Sequence, residues 1–175
     1  MLKPQFIEKT LNKFGKDVVQ QSRSRLSKSG SNFSKELYNS IGYELDVSNK
    51  GTSFSFSFEM EEYGAYQDQG VRGVGGVRKT TSKFKRTNNK GKLWKQKAPK
   101  DTPFSYKEGK KPPVKAFEKW AKAKGLSPFA VREIVYHEGL KSKKFFTTSF
   151  EQQFAKLPDE LLKAFGDDLD NFLKA

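Results

Sequence analysis

The stretch YELDVSNKGTSFSFSFEM, residues 43–60, alternates apolar and polar side chains on both sides of a turn-forming SNKG. Tyr43, Leu45 and Val47 occupy every second position before the turn, and Phe54, Phe56 and Phe58 do so after it. Successive side chains of a strand point to opposite faces, so a period of two marks one buried and one solvated face. Asn49 and Gly51 supply turn chemistry. The stretch therefore predicts a β-hairpin with one buried face.

Upstream, Phe6/Ile7, Leu11, Phe14, Val18 and Leu26 keep to helical spacing behind Pro4, which suits a first turn. This predicts an amphipathic helix over about 4–27, stopped by Gly30, with Ser31 or Asn32 capping the next helix. That next helix is short, holds Phe33, Leu37 and Ile41, and leads into the hairpin. Downstream of Pro112-Pro113 the helical period returns. Val114, Phe117, Trp120 and Ala121 share one face, and Ser127-Pro128 starts a second helix carrying Phe129, Val131, Ile134 and Val135 that stops near Gly139. Thr148 or Ser149 is expected to cap a helix with Phe150 and Phe154. Pro158, followed by Asp159 and Glu160, opens a terminal helix with the charge its dipole favours. Its Leu161, Leu162, Phe165, Leu169, Phe172 and Leu173 form an apolar stripe, read as own core or as a clasp on a neighbouring subunit.

Helices, hairpin, a long loop, then helices: the order predicts an α+β fold. A chain of 175 residues suggests a single domain. It carries a basic loop or extension at about 71–111 and a C-terminal helical segment at about 113–175.

That loop is the chain's compositional exception. From Gly70 to Lys100 the sequence reads GVRGVGGVRKTTSKFKRTNNKGKLWKQKAPK, with five glycines and no carboxylate. Between 71 and 111 lie fourteen basic residues: Arg72, Arg78, Lys79, Lys83, Lys85, Arg86, Lys90, Lys92, Lys95, Lys97, Lys100, Lys107, Lys110 and Lys111. Asp101 and Glu108 oppose them, leaving +12 here and +2 on the rest of the chain. Three readings stand side by side: a solvated segment kept soluble by charge, contact with nucleic-acid phosphates, and docking onto an acidic protein. Trp94, Phe84 and Tyr106 are available to stack on bases, though no RRM, KH, zinc-finger or helix-turn-helix pattern accompanies them. The first eleven of these cations, Arg72 to Lys100, are the candidate contact residues.

Catalytic signatures are thin. The chain has no cysteine, which excludes disulfides, thiolate chemistry and Cys-based zinc sites. His137 is the single histidine, and HEG at this position lacks the second histidine of a zinc-binding helix, so a structural role is expected. No Gly-Lys-Ser/Thr follows GVRGVGG as a P-loop requires, and the stretch lacks the spacing of a dinucleotide fingerprint. Glu59, Glu61, Glu62 and Asp68 leave open a metal-dependent nuclease beside the basic loop. The expectation is a non-enzyme without cofactor or metal. No run approaches the roughly 20 apolar residues of a membrane span, and MLKPQFIEKTLNKF has no signal-like apolar region. A soluble, intracellularly made protein is expected.

YGAYQDQGVRG, Tyr63 to Gly73, resembles the Y-A-x-Y/V-x-x-x-G-T segment of phage neck or tail-completion proteins, the virion-morphogenesis family of head–tail junctions. GLKSKKFFTTSFEQQF is similar to that family's terminal G-[IL]-x-x-x-x-F-F-x-x-[AS]-F helix start, and LPDELLKAFGDDLDNFL looks like its closing tail. The resemblance covers about 1–70 and 113–175. It departs after Gly70, where Val71 replaces the usual Thr and the long basic loop intervenes. It implies a non-enzymatic subunit of a homo-oligomeric ring between portal or connector and tail proteins. Such a subunit is made in the host cytoplasm, resides in the virion and lines a channel for double-stranded DNA. Tyr63, Tyr66, Phe145 and Phe146, with Leu161, Phe165 and Leu169, are the expected core or subunit-packing residues. The alternative is a free, non-sequence-specific nucleic-acid-binding protein.

Overall fold

The computed structural model describes residues 4–30, 35–47, 53–76 and 93–174. The elements are helices α1 (Gln5–Lys28) and α2 (Glu36–Ser40), strands β1 (Gly42–Val47) and β2 (Phe54–Glu59), and helices α3 (Tyr63–Gln69), α4 (Lys115–Ala123), α5 (Pro128–Glu138), α6 (Phe145–Phe154) and α7 (Leu157–Lys174). The fold is α+β. By its contacts the chain divides into two compact units, Met1–Gly64 with Lys144–Ala175, and Ala65–Lys143. Helices α4 and α5 therefore group with the basic segment, while α6 and α7 group with α1 and the hairpin.

In the first unit the hairpin pairs as its alternation requires. Tyr43 lies opposite Phe58, Leu45 opposite Phe56 and Val47 opposite Phe54. The Tyr43, Leu45, Phe56 and Phe58 face packs toward the apolar face of α1, where Leu11, Phe14, Val18, Val19 and Leu26 are buried. Gly15 makes this close approach possible. A β-carbon there would sit 2.6 Å from the Tyr43 ring and 2.7 Å from Phe56. Those two rings stack, with centroids 5.5 Å apart and planes 5° from parallel. Helix α6 closes the core from the other side: Phe145 is fully buried, and Phe146 packs against both apolar clusters.

Two expectations on this unit are corrected. Thr148 and Ser149 do not cap α6, which starts at Phe145. Ser149 lies buried one turn inside, and its hydroxyl donates to the Phe145 carbonyl at 2.7 Å, the back-bonding a mid-helix serine adopts. Helix α7 begins at Leu157, one residue before Pro158, and it does not turn its apolar stripe inward. Leu157, Ala164 and Asp168 face the interior, Leu161 is half-buried, and Phe165 and Leu169 are exposed. The reason lies across the fold. Asp168 caps α1, accepting from the backbone N–H groups of Phe6 and Ile7 at 3.0 Å each. That fixes the rotation of α7 about its axis.

The second unit has a small core of Val71, Ala121, Val131 and Tyr136. Ser127 and Pro128 open α5 as expected, although the Ser127 hydroxyl makes no capping bond. Among the described residues no helix is long and apolar enough to cross a membrane.

Candidate nucleic-acid interface

The glycine-rich stretch after α3 is a structural ribbon. Val71 exchanges backbone hydrogen bonds with Leu140 at 3.1 and 2.8 Å, and Arg72 does so with Phe104 and Tyr106 at 2.8 and 2.9 Å. Val74 and Gly75 then donate to the carbonyls of Tyr136 and His137 at 3.0 Å each. Two backbones cross here at a separation that admits no side chain. A β-carbon on Gly139, where φ is +79°, would lie 2.6 Å from the Gly73 nitrogen, and one on Gly73 would lie 2.5 Å from the Gly139 nitrogen. Gly73 thus allows the ribbon to pack closely on the end of α5, and only glycine suits the left-handed backbone at 139.

Gln96 ties the ribbon to the far side of the basic segment. Its side chain accepts from Gly73 N–H at 3.0 Å and donates to the carbonyls of Gly73 and His137 at 3.1 and 2.9 Å. Trp94 N–H donates to the Gly76 carbonyl at 3.0 Å, so the residues flanking 77–92 are hydrogen-bonded to each other. The Trp94 ring stacks on His137, centroids 5.1 Å apart and planes 4° from parallel. His137 Nδ1 lies 2.7 Å from the Gly75 carbonyl oxygen. A carbonyl only accepts, so Nδ1 carries a proton and Nε2 points to Glu133, 3.8 Å away. The lone histidine and one of the two tryptophans are therefore committed to anchoring the base of the segment.

Around this anchor the charge is one-sided. The second unit holds twenty-one of the thirty-four lysines and arginines and six of the twenty carboxylates, a formal +15. The first unit is left with thirteen cations against fourteen carboxylates, −1. Of the candidate contact residues, Arg72, Lys95, Lys97 and Lys100 are exposed, while Arg78, Lys79, Lys83, Lys85, Arg86, Lys90 and Lys92 lie outside the described residues, as does Phe84. Lys97 pairs with Glu138 at 2.6 Å and Lys111 with Glu133 at 2.9 Å. The hydrogen bond from Lys111, helped by one from Arg132, holds the Glu133 carboxyl below the usual glutamate range against the opposing effect of burial. Tyr106 packs beside Tyr136, and burial, with Tyr66 second, raises its phenol above the ordinary tyrosine range.

Counting along the loop alone misses part of this surface. Lys115, Lys119, Lys122 and Lys124, on α4 and just past its end, are all exposed, as are Lys141 and Lys143. Their signal is the four lysines within KAFEKWAKAK, a pattern that equally suits the ordinary polar face of a helix. Among the packing candidates, Tyr63, Phe145, Phe146 and Leu161 join the first unit's core. Tyr66 is more exposed and meets Phe104 edge-on at 4.6 Å. Among the described residues no three carboxylate or imidazole side chains gather as a metal site would require.

No protein-family model, curated protein or solved structure matches the chain.

Proposed function

We propose that this chain is a structural subunit of a bacteriophage head–tail junction. In this reading it closes a ring with copies of itself, and its second unit gives the channel a positive surface for passing DNA. One observation carries the reading: the whole net charge sits in one unit, +15, while the other is −1. A near-neutral body packs against its copies without strong self-repulsion, and a dense basic unit attracts the phosphate backbone whatever its sequence. The resemblance of YGAYQDQGVRG and GLKSKKFFTTSFEQQF to neck and tail-completion proteins supplies the assembly context. The charge partition also suits a free nucleic-acid-binding protein, and the two readings part on oligomeric state. Native mass and negative-stain imaging at low and high salt distinguish them. Closed rings with a central hole support the junction subunit. A monomer that binds duplex DNA and forms no ring, even with portal or connector present, supports the alternative.

A further inference from the structure

Two exposed apolar surfaces, one on each unit, carry rims of opposite sign. On α7, Leu162, Phe165, Leu169 and Phe172 follow a three-four-three spacing, and all are exposed, Phe165 at 56%. At 100° per residue these four fall on one stripe, and Asp159 and Asp170 border its outer edge. Rotating α7 to bury the stripe would break the Asp168 cap on α1, so the helix keeps the stripe outside by construction.

The second surface is the corner between α4 and α5. Trp120, Leu126 and Phe129 are exposed there, and Lys119, Lys122 and Lys124 surround them in sequence. The corner is tight: Leu126 N–H returns to the Ala121 carbonyl at 2.8 Å, and Lys124 N–H to the Trp120 carbonyl at 3.2 Å. Leu126 therefore stands on a fixed turn, with Trp120 in α4 before it and Phe129 in α5 after it.

We infer that the α7 stripe of one copy docks on the α4–α5 corner of the next copy. Charge selects the occupant. Two α7 stripes facing each other would bring acidic rim against acidic rim, and two corners would oppose lysines. Stripe on corner instead places Asp159 and Asp170 beside Lys122 and Lys124 while burying aromatic and aliphatic side chains typical of interface centres. The contact joins two different surfaces, so it propagates head to tail and closes into a ring when the rotation per step permits. This deepens the junction reading and rests on it for closure.

The test uses the full chain in two variants, Phe165→Asp/Phe172→Asp on the stripe and Leu126→Glu/Phe129→Glu on the corner. All four positions are exposed, so neither variant disturbs a core. Sedimentation is run at a concentration where wild type is assembled. Each variant alone is expected to be monomeric, and an equimolar mixture is expected to form a one-to-one dimer and no larger species. Such a dimer uses the intact corner of one variant and the intact stripe of the other, and its appearance shows that both are folded. A mixture that stays monomeric, variants that assemble like wild type, or a wild type that is monomeric at its highest soluble concentration overturns the inference. If wild-type rings persist in both variants, the interface is wrong and the junction reading stands. If the mixture dimerises but wild type grows open filaments, the interface stands and the ring reading falls.

Discussion

Asp168, near the end of the chain, accepts the backbone N–H groups of Phe6 and Ile7 at its start, 3.0 Å each. The first turn of a helix has N–H groups without intrahelical partners and a positive dipole end, and a carboxylate answers both. Pro4, the residue preceding α1, contributes no side-chain cap. Asp168→Ala is expected to lower stability by about 1–3 kcal/mol, the cost of two partly buried N–H groups left without acceptors. Asp168→Asn keeps one acceptor and loses less. Asp167→Ala, exposed on the same helix and away from the apolar stripe, stays within about 0.5 kcal/mol of wild type. Urea midpoints of the three variants check the ranking.

Gly15→Ala is predicted to destabilise, although alanine is the better helix former by about 1 kcal/mol. The added methyl meets the Tyr43 and Phe56 rings, which are stacked on each other and packed into the hairpin face. Overpacking of this kind costs about 1–3 kcal/mol, more than propensity returns. Coupling Gly15→Ala with Phe56→Leu should recover part of the loss in a double-mutant cycle.

Glu133 gives the second unit an acid-sensitive link. Its folded pKa is depressed, first by the Lys111 hydrogen bond and then by Arg132, so its contribution is complete above the unfolded value of about 4.3. The contribution is lost as pH falls from there through the folded value. Both tryptophans, Trp94 and Trp120, lie in the second unit, so their fluorescence reports on it directly. Wild type should lose melting temperature below about pH 4.3 faster than Glu133→Gln does. Identical acid profiles for the two proteins would contradict the assignment.

Neutralising a single cation should matter little for polyanion binding. Lys95→Ala is expected to weaken duplex binding only a few-fold, because each exposed contact is weak and many share the load. Replacing Lys95, Lys100, Lys141 and Lys143 together with glutamine, all exposed and outside the α4–α5 corner, should weaken it far more, as read by fluorescence anisotropy at fixed salt.

Features that obey a local period were legible in the sequence. The hairpin and its buried face followed from the alternation of Tyr43, Leu45 and Val47 with Phe54, Phe56 and Phe58, although Phe54 at the turn end stays exposed, and α1 followed from its 3.6-residue spacing. The α7 stripe was equally visible, but its orientation was not. It depends on Asp168 meeting a helix end 162 residues away in sequence, and no local pattern encodes that pairing. Ser149 looked like a cap because serine favours caps. Its burial beneath Phe145, which places the helix start four residues earlier, is a tertiary fact. At the candidate interface the loop's charge was plain. The part played by α4 was hidden because lysines on a helix face also serve simply to keep it in water. GVRGVGG could be denied a phosphate-binding role by spacing alone, but the partner of its Gly73, Gly139, lies at the far end of α5.

A basic unit that meets DNA is tested by the salt dependence of duplex binding, measured on the intact protein and on the four-glutamine variant at Lys95, Lys100, Lys141 and Lys143. Log Kobs is expected to fall linearly and steeply with log salt, by about 0.9 for each phosphate neutralised. The variant should show a slope shallower by roughly 1 for each contact it has lost. Absence of duplex binding at low salt, or a slope unchanged by removing those lysines, would contradict a second unit built to meet DNA along this surface.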